Sequence, residues 1–186
     1  MADTFAPFTG AMLLCLDVQP AFLKAIADRN QLVRRCSFGV SAAQGLGLRV
    51  AFTEQMPQKL GGTAPELLAC AKSPVLYSKS TFSAFGDDGI REAIRSADIE
   101  HIILCGLETP ICVYQTALDA VDNNLQVTIL SDAVGCRRPA DGEVCLRSLT
   151  RHGIYVLPSE TVFYSLLQSA QHPFFKAYTE LVKSYA

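Results

Sequence analysis

Residues 102–123, IILCGLETPICVYQTALDAVDN, decide the fold. The run Ile102–Ile103–Leu104–Cys105 is wholly apolar, as expected of a strand covered on both faces. Gly106 ends it. Pro110 suits the first turn of a helix, because its missing N–H would have no intrahelical partner there. From about Pro110 to Asn123 the pattern is helical. A buried strand running into a helix in this way is the repeating piece of a parallel α/β sheet.

The same alternation extends in both directions. Toward the amino terminus lies the apolar run Ala11–Leu16, which ends in Asp17. A helix follows over about 28–44 and is stopped by Gly45 and Gly47. Leu48–Thr53 and Val75–Tyr77 read as strands, and Asp87–Ala97 reads as a helix with an acidic cap. Toward the carboxyl terminus come strand Gln126–Leu130, helix Ala140–Arg151 and strand Ile154–Leu157. Helices over Ser159–Gln168 and Pro173–Ser184 close the chain. Six strands separated by helices predict right-handed crossovers and a three-layer α/β/α fold with a parallel sheet. No composition shift, repeat or low-complexity stretch divides the 186 residues, so one domain over 1–186 is expected.

Composition narrows the partners. With 49% hydrophobic and 18% charged residues, disorder, collagen-like repeats and coiled coils are excluded. Sixteen Lys and Arg stand against 18 Asp and Glu, a net charge of −2. No broad positive field exists for nucleic acid or an anionic membrane, and neither is expected as a partner. The basic pairs Arg34–Arg35 and Arg137–Arg138 read as solvated helix ends. The opening MADTFAPFTG has an acidic residue where a secretory leader would be basic, and Ala11–Leu16 is too short to span a membrane. Seven cysteines, an odd number with no CxxC pair, predict reduced thiols and a cytoplasmic protein. Cys15 and Cys105, inside apolar strands, read as small core residues.

Ligands in such sheets bind beyond the carboxyl ends of the strands. Asp17 ends strand one, Lys79 lies just past strand three, and Cys112 lies past strand four at a helix start. If strands one and four are neighbours, Asp17 and Cys112 face each other. Unpaired N–H groups and the helix dipole favour a thiolate at Cys112, and a nearby Lys79 ammonium would add to this. His101 and His152 precede strands and belong on the opposite edge, and His172 lies in the tail. Asp17 is therefore the available base. Each residue also has a plainer reading: a buried hydrophobe for Cys112, an amide cap for Asp17, a solvated cation for Lys79.

Those residues carry a resemblance. LLCLDVQPAF around Asp17, YSKSTFSAF around Lys79 and ILCGLETPICVYQTALDA around Cys112 resemble segments of the isochorismatase-like cysteine hydrolase superfamily. TEQMPQKLGGTAPEL after strand two and HPFFK near the end extend the match, most closely to its isochorismatase-domain-containing subgroup. The resemblance implies a sheet of order 3-2-1-4-5-6 and an Asp17–Lys79–Cys112 triad. It also implies a cis peptide between Leu107 and Glu108, and an oxyanion hole from the backbone N–H groups of Glu108 and Cys112. Nicotinamidases of the superfamily carry an Asp-x-His metal motif after strand two. Here Thr53–Glu54–Gln55 stands in that place, with no histidine before His101, so no metal and no cofactor is expected.

Gln19, Phe22, Gln55, Phe82 and Phe85 follow the triad segments and are candidates for a small-molecule pocket. In the tail, Phe174, Phe175, Tyr178, Leu181, Val182 and Tyr185 form an apolar helical stripe, placed either on the chain's own core or on another subunit. A homo-oligomer, dimer or larger, is the expectation. The leading reading is a metal-independent hydrolase of small amides or related C–N bonds. A catalytically silent scaffold, a ribonuclease and a thiol redox sensor are the alternatives.

Overall fold

A computed structural model describes residues 10–185. The reading of the first nine residues as lacking a leader's charge pattern, and the outer bounds of the 1–186 domain, lie outside that range. The chain runs β1 (Ala11–Leu16), α1 (Pro20–Leu23), α2 (Arg29–Gly45), β2 (Arg49–Gln55), α3 (Pro57–Leu60), α4 (Pro65–Cys70), β3 (Val75–Lys79), α5 (Asp88–Ser96) and β4 (His101–Leu107). It continues through a π-helical turn (Thr109–Val113), α6 (Tyr114–Asp122), β5 (Gln126–Gly135), α7 (Pro139–Arg151), β6 (Tyr155–Leu157), α8 (Ser159–Leu167) and α9 (Phe175–Tyr185).

All six strands pair in parallel, in the order β3-β2-β1-β4-β5-β6. Strand alternation sorts the core into two layers. Ala11, Leu13 and Cys15 of β1 pack with Phe38 of α2, Phe163 of α8 and Tyr178 of α9. Met12, Leu14 and Leu16 face the other way, with Ile90 and Ile94 of α5, Ala117 of α6 and Leu149 of α7. Helices thus cover both faces, as the unbroken apolar runs require. The expected three-layer architecture and strand order are both present.

Elements at the carboxyl edge differ from the sequence reading. β2 extends to Gln55 and β5 to Gly135, and β3 runs on to include Lys79, which is its last residue rather than a loop residue. Helices α1, α3 and α4 were not expected. They are too short to show a period, and each begins at a proline. The tail stripe closes the chain's own core: Tyr178 packs against the rings of Phe38, Phe163, Tyr164 and Phe174. Gly45 makes room for it, since a Cβ there would lie 1.9 Å from the Phe174 ring.

Of the basic pairs only Arg35 departs from the solvated reading, while Arg34, Arg137 and Arg138 stay exposed. Arg35 is buried, pairs with Asp132, and stacks over Phe38 with its guanidinium carbon 4.5 Å from the ring centre. Arg34 donates to the Ser184 and Tyr185 carbonyls, and Arg138 to Asp141. Arg side chains serve these roles because the planar fork offers several donors at once. Among the described residues no helix is long and apolar enough to cross a membrane.

Candidate functional site

β1 and β4 lie side by side at the centre, with Leu16 opposite Gly106. Gly106 has φ +108°, and a Cβ there would sit 2.1 Å from the Leu16 carbonyl oxygen. Only a glycine permits that approach. It brings the residue after β1, Asp17, next to the turn after β4, which carries Cys112. Asp17 itself takes φ +51°, a left-handed conformation unusual for a non-glycine residue. Its backbone N–H is fixed by the Thr53 carbonyl at 3.1 Å.

Asp17, Lys79 and Cys112 converge, and all three are buried, at 1%, 2% and 7% exposure. Lys79 Nζ lies 2.7 Å from Asp17 Oδ2 and 3.8 Å from Cys112 Sγ. The Thr53 hydroxyl donates to Asp17 Oδ1 at 2.6 Å. Lys79 also donates to Gln55 Oε1 at 2.7 Å and to the carbonyls of Thr81 and Phe82 at 3.2 and 3.1 Å. An ammonium so held is a fixed positive charge, and removing it would leave Asp17 buried and unpaired, a loss of about 3–5 kcal/mol.

The thiol does not follow the sequence expectation. Burial and the Asp17 carboxylate push Cys112 up to about 12, outweighing Lys79 and the Glu108 backbone N–H, which pull it down. Helix-start stabilisation was expected to win. Cys112 instead sits inside a wide π-helical turn, in a site too dry for a lone thiolate and already holding one anion. The free site therefore keeps a neutral thiol beside an Asp17–Lys79 ion pair.

A cavity of about 270 Å³ opens on the sulfur. Asp17, Ala21, Phe22, Ala25, Gln55, Phe82, Glu108, Ile111, Cys112 and Arg137 line it. Phe22, Gln55 and Phe82 thus stand where the pocket reading put them, Phe82 at the rim with 57% exposure. Two candidates do not. Phe85 is buried in the core layer of α5 and α6, because the short 3₁₀ turn Ala84–Gly86 directs it inward. Gln19 is spent on structure: it accepts from the Gln55 N–H at 2.7 Å and donates to the Gln55 and Gly61 carbonyls. The Leu107–Glu108 peptide bond is cis.

Sequence reasoning missed Thr53 and the Glu108–Arg137 ion pair, whose Oε1 to Nε distance is 2.8 Å. Thr53 carried one usable signal, a polar residue two before Gln55 on the same face at the end of a buried strand. Glu54, at the centre of the segment where nicotinamidases place their metal motif, accepts from the Thr63 N–H and hydroxyl. Among the described residues, no three potential metal ligands group at this site. His101 begins β4 at the far edge and contacts Thr128.

Residues 11–161 match the isochorismatase domain family. The chain belongs to that family. Isochorismatase domain-containing protein 2 of Bos taurus is 36% identical over 174 residues, covering 93% of this chain and 83% of the relative. The solved structure of Mar1 ribonuclease from Caenorhabditis elegans superimposes with a TM-score of 0.88 at 26% identity, covering 96% of this chain and 92% of that one. An Escherichia coli protein described as an octameric hydrolase of unknown specificity shares the fold, with a TM-score of 0.83 at 18% identity over 98% of this chain and 96% of its own. Membership of the isochorismatase family supports a hydrolase.

Proposed function

We propose that the protein is a metal-independent cysteine hydrolase that cleaves a small amide or a related C–N bond. The observation that carries this is the convergence of one thiol, one carboxylate and one ammonium, with Lys79 Nζ 2.7 Å from Asp17 and 3.8 Å from Cys112, at the floor of a small cavity. In this reading the Cys112 thiol passes its proton to Asp17 as the sulfur attacks the carbonyl carbon. The developing oxyanion is met by the backbone N–H groups of Glu108 and Cys112. The C–N bond breaks, Asp17 returns the proton to the leaving nitrogen, and a thioester remains on Cys112. Water then attacks the thioester while Asp17 takes its proton. The acid leaves and the thiol is restored.

The raised thiol supports proton transfer in step with attack rather than a standing thiolate. Lys79 keeps Asp17 oriented and offsets its charge while the sulfur is negative. A volume of 270 Å³ sits at the lower end of small-molecule pockets, so the substrate is small, with an apolar part against Phe22, Ile111 and Phe82. The ribonuclease name of the Caenorhabditis elegans relative makes RNA cleavage the competing activity. Against it stand the net charge of −2 and a rim cation, Arg137, already paired with Glu108. A cytoplasmic setting fits the seven unpaired thiols. Self-association belongs to the same proposal, through the outer strand β3, where Val75 and Leu76 are 45% and 46% exposed. Light scattering should return a mass above one chain.

The test is an amide and amidine screen with wild type and Cys112→Ala, read by product and by intact mass. Turnover in the wild type, an acyl mass increment on Cys112, and loss of both in the variant are expected. Turnover that survives Cys112→Ala, or cleavage of RNA in place of amides, would overturn the proposal.

A further inference from the structure

A second group of thiols lies away from the cavity. Cys15 of β1 and Cys105 of β4 are direct register partners on neighbouring strands, with side chains on the face that α2 covers. Cys36 of α2 packs onto them. The three sulfurs lie within 4.8 Å of one another, so a point exists within about 2.8 Å of all three; metal–thiolate bonds run near 2.3 Å. An inward adjustment of about half an ångström by each side chain would close that gap, well inside the range of a rotamer shift. Three separate segments, with no local sequence spacing to announce them, thus assemble a sulfur triangle.

We propose that Cys15, Cys36 and Cys105 form a binding site for one monovalent copper ion held by three sulfurs. The chemistry of the donors selects the ion. Only sulfur ligands group at this point among the described residues, and an all-sulfur set selects soft cations. A structural zinc site wants four ligands in a tetrahedron, and here a fourth is missing while the neighbours Leu13, Leu32, Ile103 and Ala133 are apolar. Three-coordinate copper(I) needs no fourth.

In the metal-free site the Cys36 thiol donates to the Ala133 carbonyl at 3.2 Å. Binding oxidises and reduces nothing: copper stays +1, and each thiol that becomes a thiolate ligand releases its proton to solvent. A separate cleft of about 280 Å³ is lined by Leu32, one helical turn before Cys36, with Asp132 and Cys136 among others.

The test removes the other thiols. A variant carrying Cys70→Ser, Cys112→Ala, Cys136→Ser and Cys145→Ser keeps only the triangle. It is titrated anaerobically with copper(I) against bicinchoninate, then examined by native mass spectrometry and X-ray absorption. One copper per chain with three sulfur neighbours is the expected result. Adding Cys36→Ala should weaken retention at least 100-fold. Should that last variant fail to fold, the sulfur count and stoichiometry of the first still decide. No retained copper, nitrogen or oxygen neighbours, or copper bound only when Cys112 is present would each overturn the proposal.

Discussion

Two carboxylate–cation pairs stand at the carboxyl edge of the sheet, one fully buried and one only partly so, and they are built differently. Asp132 near the end of β5 is saturated. The Ser159 N–H and hydroxyl meet Oδ1 at 2.8 and 2.6 Å, and Arg35 Nε meets Oδ2 at 2.7 Å. Asp17 after β1 holds Thr53 and Lys79, but its remaining neighbour is a thiol that opens on a cavity. The first pair locks α2 and α8 onto the sheet. The second has a place from which a proton can arrive and to which it can be returned. An opposite charge and a set of donors are thus common to both carboxylates, and the proposed reaction turns on the acidic hydrogen that only Asp17 has beside it.

The largest expected effect separates the pairs outright. Asp17→Asn should lower amide turnover about 1,000-fold, as loss of a general base does, whereas Asp132→Asn should leave kcat within about twofold. Steady-state kinetics on both variants reads this; equal losses would erase the distinction. Asp132 shows its effect in stability instead. Against burial, Ser159 and Arg35 hold its carboxyl below the ordinary carboxylate value. The folded state thus favours the charged form, and the contribution is complete above about pH 4 and lost as pH falls through the lower folded-state value. Asp132→Asn should cost about 2 kcal/mol in urea unfolding at pH 7, and markedly less at pH 3.

A finer separation uses the thiol itself. With Cys112 pushed up to about 12, its alkylation by iodoacetamide should keep rising with pH beyond pH 10, where the cysteine of a short reference peptide added to the sample levels off. Asp17→Asn removes one of the causes that raise the thiol, so the variant should alkylate faster at pH 8 even as its turnover falls. Peptide mass spectrometry follows both cysteines in one sample. The smallest effect belongs to the rim: Phe82→Ala should change stability by less than about 0.5 kcal/mol and act on KM alone.

How much of this the sequence disclosed depended on how local the cause was. β1 and β4 are legible because four or more consecutive apolar residues admit few other readings. Asp17, Lys79 and Cys112 are legible as the first chemistry-bearing groups at strand ends, and the family resemblance reinforced them. Arg35 and Asp132 were invisible, since their pairing depends on how α2 lies across β5, 97 residues apart. Phe85 was misplaced because a three-residue turn, which no periodicity reports, sends its ring into the core. The protonation of Cys112 was misread for a related reason. Position within a helix can be read from a sequence, but dryness and the distance to another anion cannot.

Gly106 has a consequence for how this chain can change. The backbone contact it permits with Leu16 joins the strands that carry Asp17 and Cys112, and even one added carbon would collide with main-chain atoms. Variation there is closed, so the spacing between Asp17 and Cys112, on which the proposed reaction depends, is held by the backbone. New substrate preference must instead be drawn from positions whose side chains end in open space or pair only with each other, such as Ala21, Ala25, Phe82 and the Glu108–Arg137 couple. A library confined to those five positions would explore selectivity while the chemistry stayed in place.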